Sequence, residues 1–188
     1  MNIFKNLTNI AGWVVFGIAF VVYFFSAERT GSLWDCGEFI TGAYKLQVVH
    51  PPGAPLFILI GRMFTFIAQI FSDNPENIAF SVNILSGICS AFAATFVCWS
   101  TIILGKLTLT DRESVPEQGE QIALAGAGVV AGLATAFCTS VWFSAVEGED
   151  YAMSTIFTTQ TLWAYMKWYA MPAKPDAERW MLYAYYAA

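Results

Sequence analysis

Residues 80–104 read FSVNILSGICSAFAATFVCWSTIIL, twenty-five positions without one charged side chain. A helix rises 1.5 Å per residue and needs about 20 apolar residues to cross the hydrocarbon of a bilayer, so this stretch is long enough to span. Working outward, apolar stretches also run over 9–26, 54–71, 122–143 and 151–169, and a further one opens at Trp180. Composition agrees: the 188 residues are 57% hydrophobic, 16% aromatic and 12% charged, with a mean hydropathy of +0.54. A water-soluble domain carries about 25% charged residues, so this apolar excess calls for lipid. We expect an all-α fold, a polytopic transmembrane helical bundle with spans near 9–26, 80–104, 122–143 and 151–169 and the start of another at 180. Trp13, Tyr23, Trp163 and Trp168 are expected interface anchors.

The remaining composition excludes more than it selects. A formal charge of −5 with no basic run gives no footprint for nucleic acid. Cys36, Cys89, Cys98 and Cys138 show no Cys-x-x-Cys spacing, which gives neither a zinc site nor a disulfide framework. Three of them fall in expected spans as small packing residues, and Cys36 stands apart between two carboxylates. Lys5 precedes the run 10–25, and Phe25-Ser26-Ala27 resembles a signal cleavage site. That run is long for a cleaved signal, so it is kept as the first span. Gly128-Val129-Val130-Ala131-Gly132 is a small-xxx-small pattern that lets helix backbones approach closely in lipid; packing inside the chain is the reading preferred over dimerisation.

Stretch 54–71 is ambiguous. Gly53 and Pro55 break its start and Arg62 sits in its middle, where a charge at the bilayer centre costs several kcal/mol, about 2.5–3.5 on insertion scales. Counting Lys and Arg does not decide whether it crosses. If it does not, and the N-terminus is cytoplasmic, then Lys5, Lys106, Arg112, Lys167, Lys174 and Arg179 lie inside. Residues 27–79 then form an outer loop with interfacial helices. We expect this arrangement because it gathers the unusual polar residues on one side.

Those residues are Trp34-Asp35-Cys36-Gly37-Glu38-Phe39, His50-Pro51-Pro52-Gly53 and Glu147-Gly148-Glu149-Asp150-Tyr151. Ionisable groups held at a membrane boundary serve chemistry or transport more often than packing. The bland alternatives are specific. Asp35 and Glu38 have the spacing of a capping box at the start of an amphipathic interfacial helix. His50 could belong only to a proline turn, and the second acidic cluster only to a solvated turn. Arg62 is a forked donor suited to a phosphate or carboxylate.

Taken in order, Trp34–Phe39, His50-Pro51-Pro52-Gly53-Ala54-Pro55-Leu56, Gly61-Arg62 and Ser144–Tyr151 resemble the domain-of-unknown-function-2723 family of multipass membrane proteins. That family includes a eukaryotic protein O-mannosyltransferase and belongs to the GT-C glycosyltransferase superfamily. The resemblance implies a GT-C-like transmembrane domain with an outer juxtamembrane helical loop. It further implies transfer of mannose or a similar hexose from a polyprenyl-phosphate carrier to a hydroxyl acceptor, such as protein Ser or Thr. The active face would be the non-cytoplasmic side of a bacterial inner membrane or its equivalent. On that reading Asp35 is the base, with Glu38 orienting or exchanging roles with it. His50, Arg62 and, more weakly, Lys45 face the donor phosphate. Trp34, Glu147, Glu149 and Tyr151 line the cavity. No cofactor is required; a divalent metal at the acidic clusters is compatible but not called for. Inverting and retaining transfer both stay open.

Members of that family are far longer, and this chain stops inside the apolar run 180–186. We therefore expect the N-terminal part of a larger protein, whose donor groove and acceptor site would draw on further helices. Two rival readings remain: a transporter whose boundary carboxylates bind a proton or cation, and a structural subunit of a larger membrane complex.

Overall fold

The computed structural model describes residues 3–32, 34–51, 53–111, 114–171 and 177–188. Pro52, Arg112 and Lys174, used in the readings above, lie outside these. Among the described residues there are eight α-helices and no strand: α1 (Ile3–Ser26), α2 (Cys36–Lys45), α3 (Pro55–Phe71), α4 (Pro75–Leu109), α5 (Gln118–Ala136), α6 (Thr139–Val146), α7 (Tyr151–Ala170) and α8 (Ala177–Ala187). Three are long and apolar enough to cross a membrane: Phe4–Ser26, Pro75–Leu109 and Gln118–Ala136.

Two of the helices, α4 and α5, begin where local chemistry satisfies their free amides. Asn74 Oδ1 accepts the Glu76 N–H at 3.1 Å, and Pro75, which has no N–H to satisfy, opens α4. Glu117 and Glu120 form a reciprocal capping box at α5.

Two expected spans differ in the structure. Stretch 122–143 is not one helix: α5 ends at Ala136, Cys138 is extended (φ −69°, ψ 148°), and α6 restarts at Thr139. Hydropathy runs unbroken through the joint. The break is carried by backbone geometry and by Thr139 and Ser140, whose hydroxyls suit a helix start better than its interior. Stretch 151–169 does form a helix, α7, but its hydroxyl, amide and lysine side chains keep it out of the three apolar ones. The 17-residue α3 is also shorter than those three. It leaves Leu59, Met63, Phe66, Ile67, Ile70 and Phe71 exposed on one flank, an apolar stripe suited to lipid.

The chain divides into two compact units. The first comprises 1–19, 91–137 and 155–188. Its small residues work at close quarters: a Cβ on Gly128 would come 2.9 Å from the Cys98 carbonyl oxygen, and one on Gly132 equally near that of Ala94. Gly128 and Gly132 thus seat α5 against α4 within the chain. Trp13, Phe92, Phe96, Trp99, Trp163 and Trp180 continue as a series of edge, tilted and stacked ring contacts, with centroids 5.0–6.5 Å apart.

The second unit comprises 20–90 and 138–154. Its centre is polar. Asn83, fully buried on α4, donates through Nδ2 to the Glu28 carbonyl at 2.7 Å and the Thr30 carbonyl at 3.4 Å. Its Oδ1 accepts from the buried Cys36 thiol at 3.7 Å, and the Cys36 sulfur accepts the Gly148 N–H at 3.3 Å. One turn along α4, Ser86 donates to the Glu149 carbonyl at 3.2 Å. The Glu28 N–H in turn bonds the Val146 carbonyl at 3.1 Å. The loop after α1, the start of α2 and the turn after α6 are thereby tied to one helix. Asn83→Leu should cost about 1–3 kcal/mol by stranding the Glu28 and Thr30 carbonyls. Gly148→Ala should be comparably harmful, because its Cβ would lie 2.8 Å from Asn83 Oδ1. Unfolding midpoints in detergent unchanged by both substitutions would show that this network carries no stability.

Candidate active site

Asp35 occupies the position before α2, but its backbone is already αR (φ −87°, ψ −3°) and its side chain makes no cap bond. The capping box allowed by the sequence therefore does not form. Glu38 turns away from its own helix end: Oε1 accepts the His50 backbone N–H at 2.7 Å, and Oε2 lies 2.9 Å from His50 Nδ1. The other imidazole nitrogen, Nε2, is 3.9 Å from Asp35 Oδ2. The lone histidine thus stands between the two carboxylates, one ring nitrogen toward each.

The local sequence explains how a residue twelve positions downstream returns to the start of α2. Leu46 takes a left-handed conformation (φ 52°), and the N–H groups of Leu46 and Gln47 both bond the Gly42 carbonyl, which closes the helix and reverses the chain. Val49 then packs on Gly42, where a Cβ would meet its Cγ1 at 2.8 Å. The His50 carbonyl accepts the Gly53 N–H at 2.9 Å, and the imidazole sits edge-on to Phe39. Phe39 itself packs on Phe57 of α3.

The electrostatics follow from this geometry. The hydrogen bond from the His50 side chain, then that from its backbone, holds the Glu38 carboxyl below its usual range. The same side-chain bond raises the His50 pKa against the cost of lost hydration, with the charges of Glu38, Asp35 and Asp150 adding to it. Glu149 moves the other way: partial burial, then the neighbouring charges of Glu147, Asp35 and Asp150, raise its pKa. Carboxylates driven apart in proton affinity are a common mark of acid–base sites.

Asp35 and Glu149 both border a cavity of about 750 Å³, with Glu28, Ser32, Trp34, Phe143, Glu147 and Tyr151 completing its described lining. A smaller hollow of about 160 Å³ is bordered by Asp35, Phe39, His50, Gly53, Glu149, Asp150 and Tyr151. Trp34 lines the larger one in a left-handed conformation (φ 65°) with its side chain 88% exposed. Such backbone strain in a bulky residue is found where surrounding structure enforces it, often beside functional groups.

The structure therefore gathers Asp35, Glu38, His50, Trp34, Glu147, Glu149 and Tyr151. It does not bring Arg62 and Lys45 to them. Arg62 Nη1 donates to the Tyr44 carbonyl and the guanidinium lies over the Tyr44 ring at 5.5 Å, so it serves the C-terminal end of α2, where helix carbonyls lack partners. Lys45, the last residue of α2, is exposed at that same end. Neither lines either hollow among the described residues. The wall of the larger cavity is instead strongly acidic, and His50 is the one expected cation that borders the smaller hollow. Sequence reasoning passed over Glu28, Ser32 and Phe143, and noted Asp150 only as part of the second acidic cluster. Glu28 had a visible signal, as the first charged residue after the first apolar stretch. One ligand atom each from Asp35, Glu38 and His50 lies within 4.8 Å of the others, a set a divalent cation could use.

A helical membrane protein with a carboxylate-rich, aromatic-rimmed cavity is the class that fold and site define. Residues 35–188 match the family described as "Protein O-mannosyl-transferase TMEM260 N-terminal domain", and the chain belongs to that family. It is 22% identical over 160 residues to the protein O-mannosyl-transferase tmem260 of Dictyostelium discoideum, covering 85% of this chain and 17% of that one. With the protein O-mannosyl-transferase TMEM260 of Mus musculus it shares 27% identity over 143 residues, 76% of this chain and 17% of the relative. The chain thus spans about one-sixth of the length of these curated relatives. No solved structure matches it significantly.

The Glu38–His50 pair sets a pH window. Glu38, with its pKa lowered by folding, contributes stability above its unfolded pKa and loses it as pH falls through the folded value. His50, with its pKa raised, contributes below its unfolded pKa and loses it as pH rises through the folded value. The pair's contribution is therefore complete only between the unfolded pKa values of the two groups, and it is lost as pH falls through the depressed Glu38 pKa or rises through the elevated His50 pKa. Glu38→Gln should lower the His50 pKa, read from imidazole NMR shifts. An unmoved titration would mean the pair does not persist in solution.

Proposed function

We propose that this chain is the N-terminal part of a GT-C-type glycosyltransferase of the domain-of-unknown-function-2723 family. It would transfer mannose or a similar hexose from a polyprenyl-phosphate carrier to a Ser or Thr hydroxyl of a protein, on the non-cytoplasmic face of the membrane. The observation that carries the reading is the convergence of Asp35, Glu38 and His50 at one edge of an acidic, aromatic-rimmed cavity. Family membership and the activity for which both relatives are named support it.

The wall chemistry suits a sugar. Carboxylates accept hydrogen bonds from several hydroxyls at once, and Trp34, Phe143 and Tyr151 offer flat apolar faces. In the reaction the acceptor oxygen attacks the anomeric carbon, and its proton passes to the Asp35 carboxylate. The bond from that carbon to the carrier phosphate breaks, and the phosphate leaves with the electron pair. Asp35 makes no cap bond and its residue lines the cavity, which places its carboxylate for the role of base. Glu38 acts on His50 rather than as a second base: it orients the ring and favours the imidazolium, which faces the charge growing on the leaving phosphate. Glu149, with its raised pKa, and Glu147 would bind or orient the acceptor.

Asp35→Asn, made in the native protein and assayed in membranes with a polyprenyl-phosphate sugar and a Ser/Thr peptide, should lower transfer by about 10²–10⁴-fold. Its unfolding midpoint should stay close to that of the parent. Full transfer in this variant would remove Asp35 from the chemistry. Carboxylate-dependent solute uptake into vesicles, without transfer, would favour a transporter.

A further inference from the structure

Among the described acidic residues that line the larger cavity, Glu28 alone lies outside both acidic motifs of the sequence. It follows α1 in a loop, yet its backbone is held on both sides. The N–H donates to the Val146 carbonyl at 3.1 Å, and the carbonyl accepts from Asn83 Nδ2 at 2.7 Å. Loops are ordinarily the mobile parts of a fold; here the root of one side chain is fixed to α4 and to the chain just ahead of Glu147. On the Glu28 side only main-chain atoms make that clamp, so the carboxylate is not consumed by it. Glu28 forms no ion pair among the described residues. The adjacent cation is engaged elsewhere, with the Arg29 guanidinium over the Phe80 ring at 4.7 Å.

The same cavity is bordered by Trp34, whose side chain is largely exposed and which directly precedes Asp35. A fixed carboxylate and an open aromatic face on one cavity select their ligand by chemistry. A hexose carries both complements: hydroxyls around its rim, which donate to a carboxylate, and ring C–H groups, which pack on an aromatic face. A phosphate would be repelled by the acidic wall. A peptide acceptor brings one reacting hydroxyl and, on the reaction proposed above, meets Glu147 and Glu149.

We propose that Glu28 and Trp34 form the subsite for the transferred hexose. The Glu28 carboxylate accepts hydrogen bonds from sugar hydroxyls away from the anomeric carbon, and the Trp34 ring packs against the C–H face. This rests on the transfer reaction proposed above and names the residues that would make the cavity select a sugar rather than admit one. Glu28 and Trp34 are thus binding residues, and proton transfer stays with Asp35.

The test uses the native protein purified in detergent. Native mass spectrometry compares its binding of polyprenyl-phosphate mannose with that of polyprenyl phosphate without a sugar, and transfer to a Ser/Thr peptide is assayed alongside. The parent should bind the sugar-loaded carrier more tightly than the bare one. Glu28→Ala should weaken binding of the loaded carrier about 10–100-fold, as for hydrogen bonds to a charged acceptor, and leave the bare carrier unchanged. Trp34→Ala should also weaken only the loaded carrier. Donors lacking one hydroxyl should bind the parent less well, and at the hydroxyl Glu28 holds that loss should vanish in Glu28→Ala. Should Glu28→Ala fail to fold, Glu28→Gln carries the same comparison with the side-chain volume kept. No sugar preference in the parent, no loss in the Glu28 variant, or equal loss for loaded and bare carrier would each overturn the subsite, even where transfer proceeds. A Glu28-dependent sugar preference without transfer would uphold the subsite and remove the reaction.

Discussion

Asn83 is the constraint on which the second unit depends. Its side-chain amide is buried without exposure, and polar groups taken out of water in this way need partners within the protein. Every irregular segment that meets there must therefore bring its own partner. The carbonyls after α1, the thiol at the start of α2 and the amide of the acidic turn do so through one side chain and one sulfur. The loops that carry Glu28, Asp35 and Glu149 are thus placed by a rigid element rather than by their own weak preferences. Precision of this kind is what a catalytic constellation needs.

The distribution of charge refines the chemistry. A transferase using a phosphate leaving group would be expected to crowd cations around it, and the sequence offered Arg62 and Lys45. The fold commits Arg62 to a helix end and leaves the wall of the larger cavity acidic, while the imidazole of His50, its pKa raised by Glu38, borders the smaller hollow that shares Asp35 and Glu149 with it. On the proposed reaction, carboxylates would address hydroxyl protons and His50 alone would address the phosphate.

Much of the fold was legible in the sequence because length and hydropathy are local properties. α1 and α4 follow directly from charge-free runs, and α2 from its amphipathic pattern. What was not legible depends on three-dimensional partners. Hydropathy cannot register the joint at Phe137–Cys138, since apolar residues continue through it. Spacing showed that Asp35 and Glu38 could cap a helix, but not that Glu38 would find a stronger partner in the amide and ring of His50. Arg62 was read by its chemistry alone, and chemistry does not tell which carbonyl an arginine will meet. Asn83 drew no attention because a lone amide in an apolar run has no sequence signature of its partners.

The buried thiol at the centre of this network has a practical meaning. Cys36 is inaccessible while Cys138 is exposed, so alkylating reagents applied to the intact protein meet one of these sulfurs and miss the other. Alkylation of Cys36 must wait for the knot around Asn83 to loosen, and its rate becomes a built-in clock for that opening. The molecule thus carries its own reporter of how often the floor of the acidic cavity comes apart.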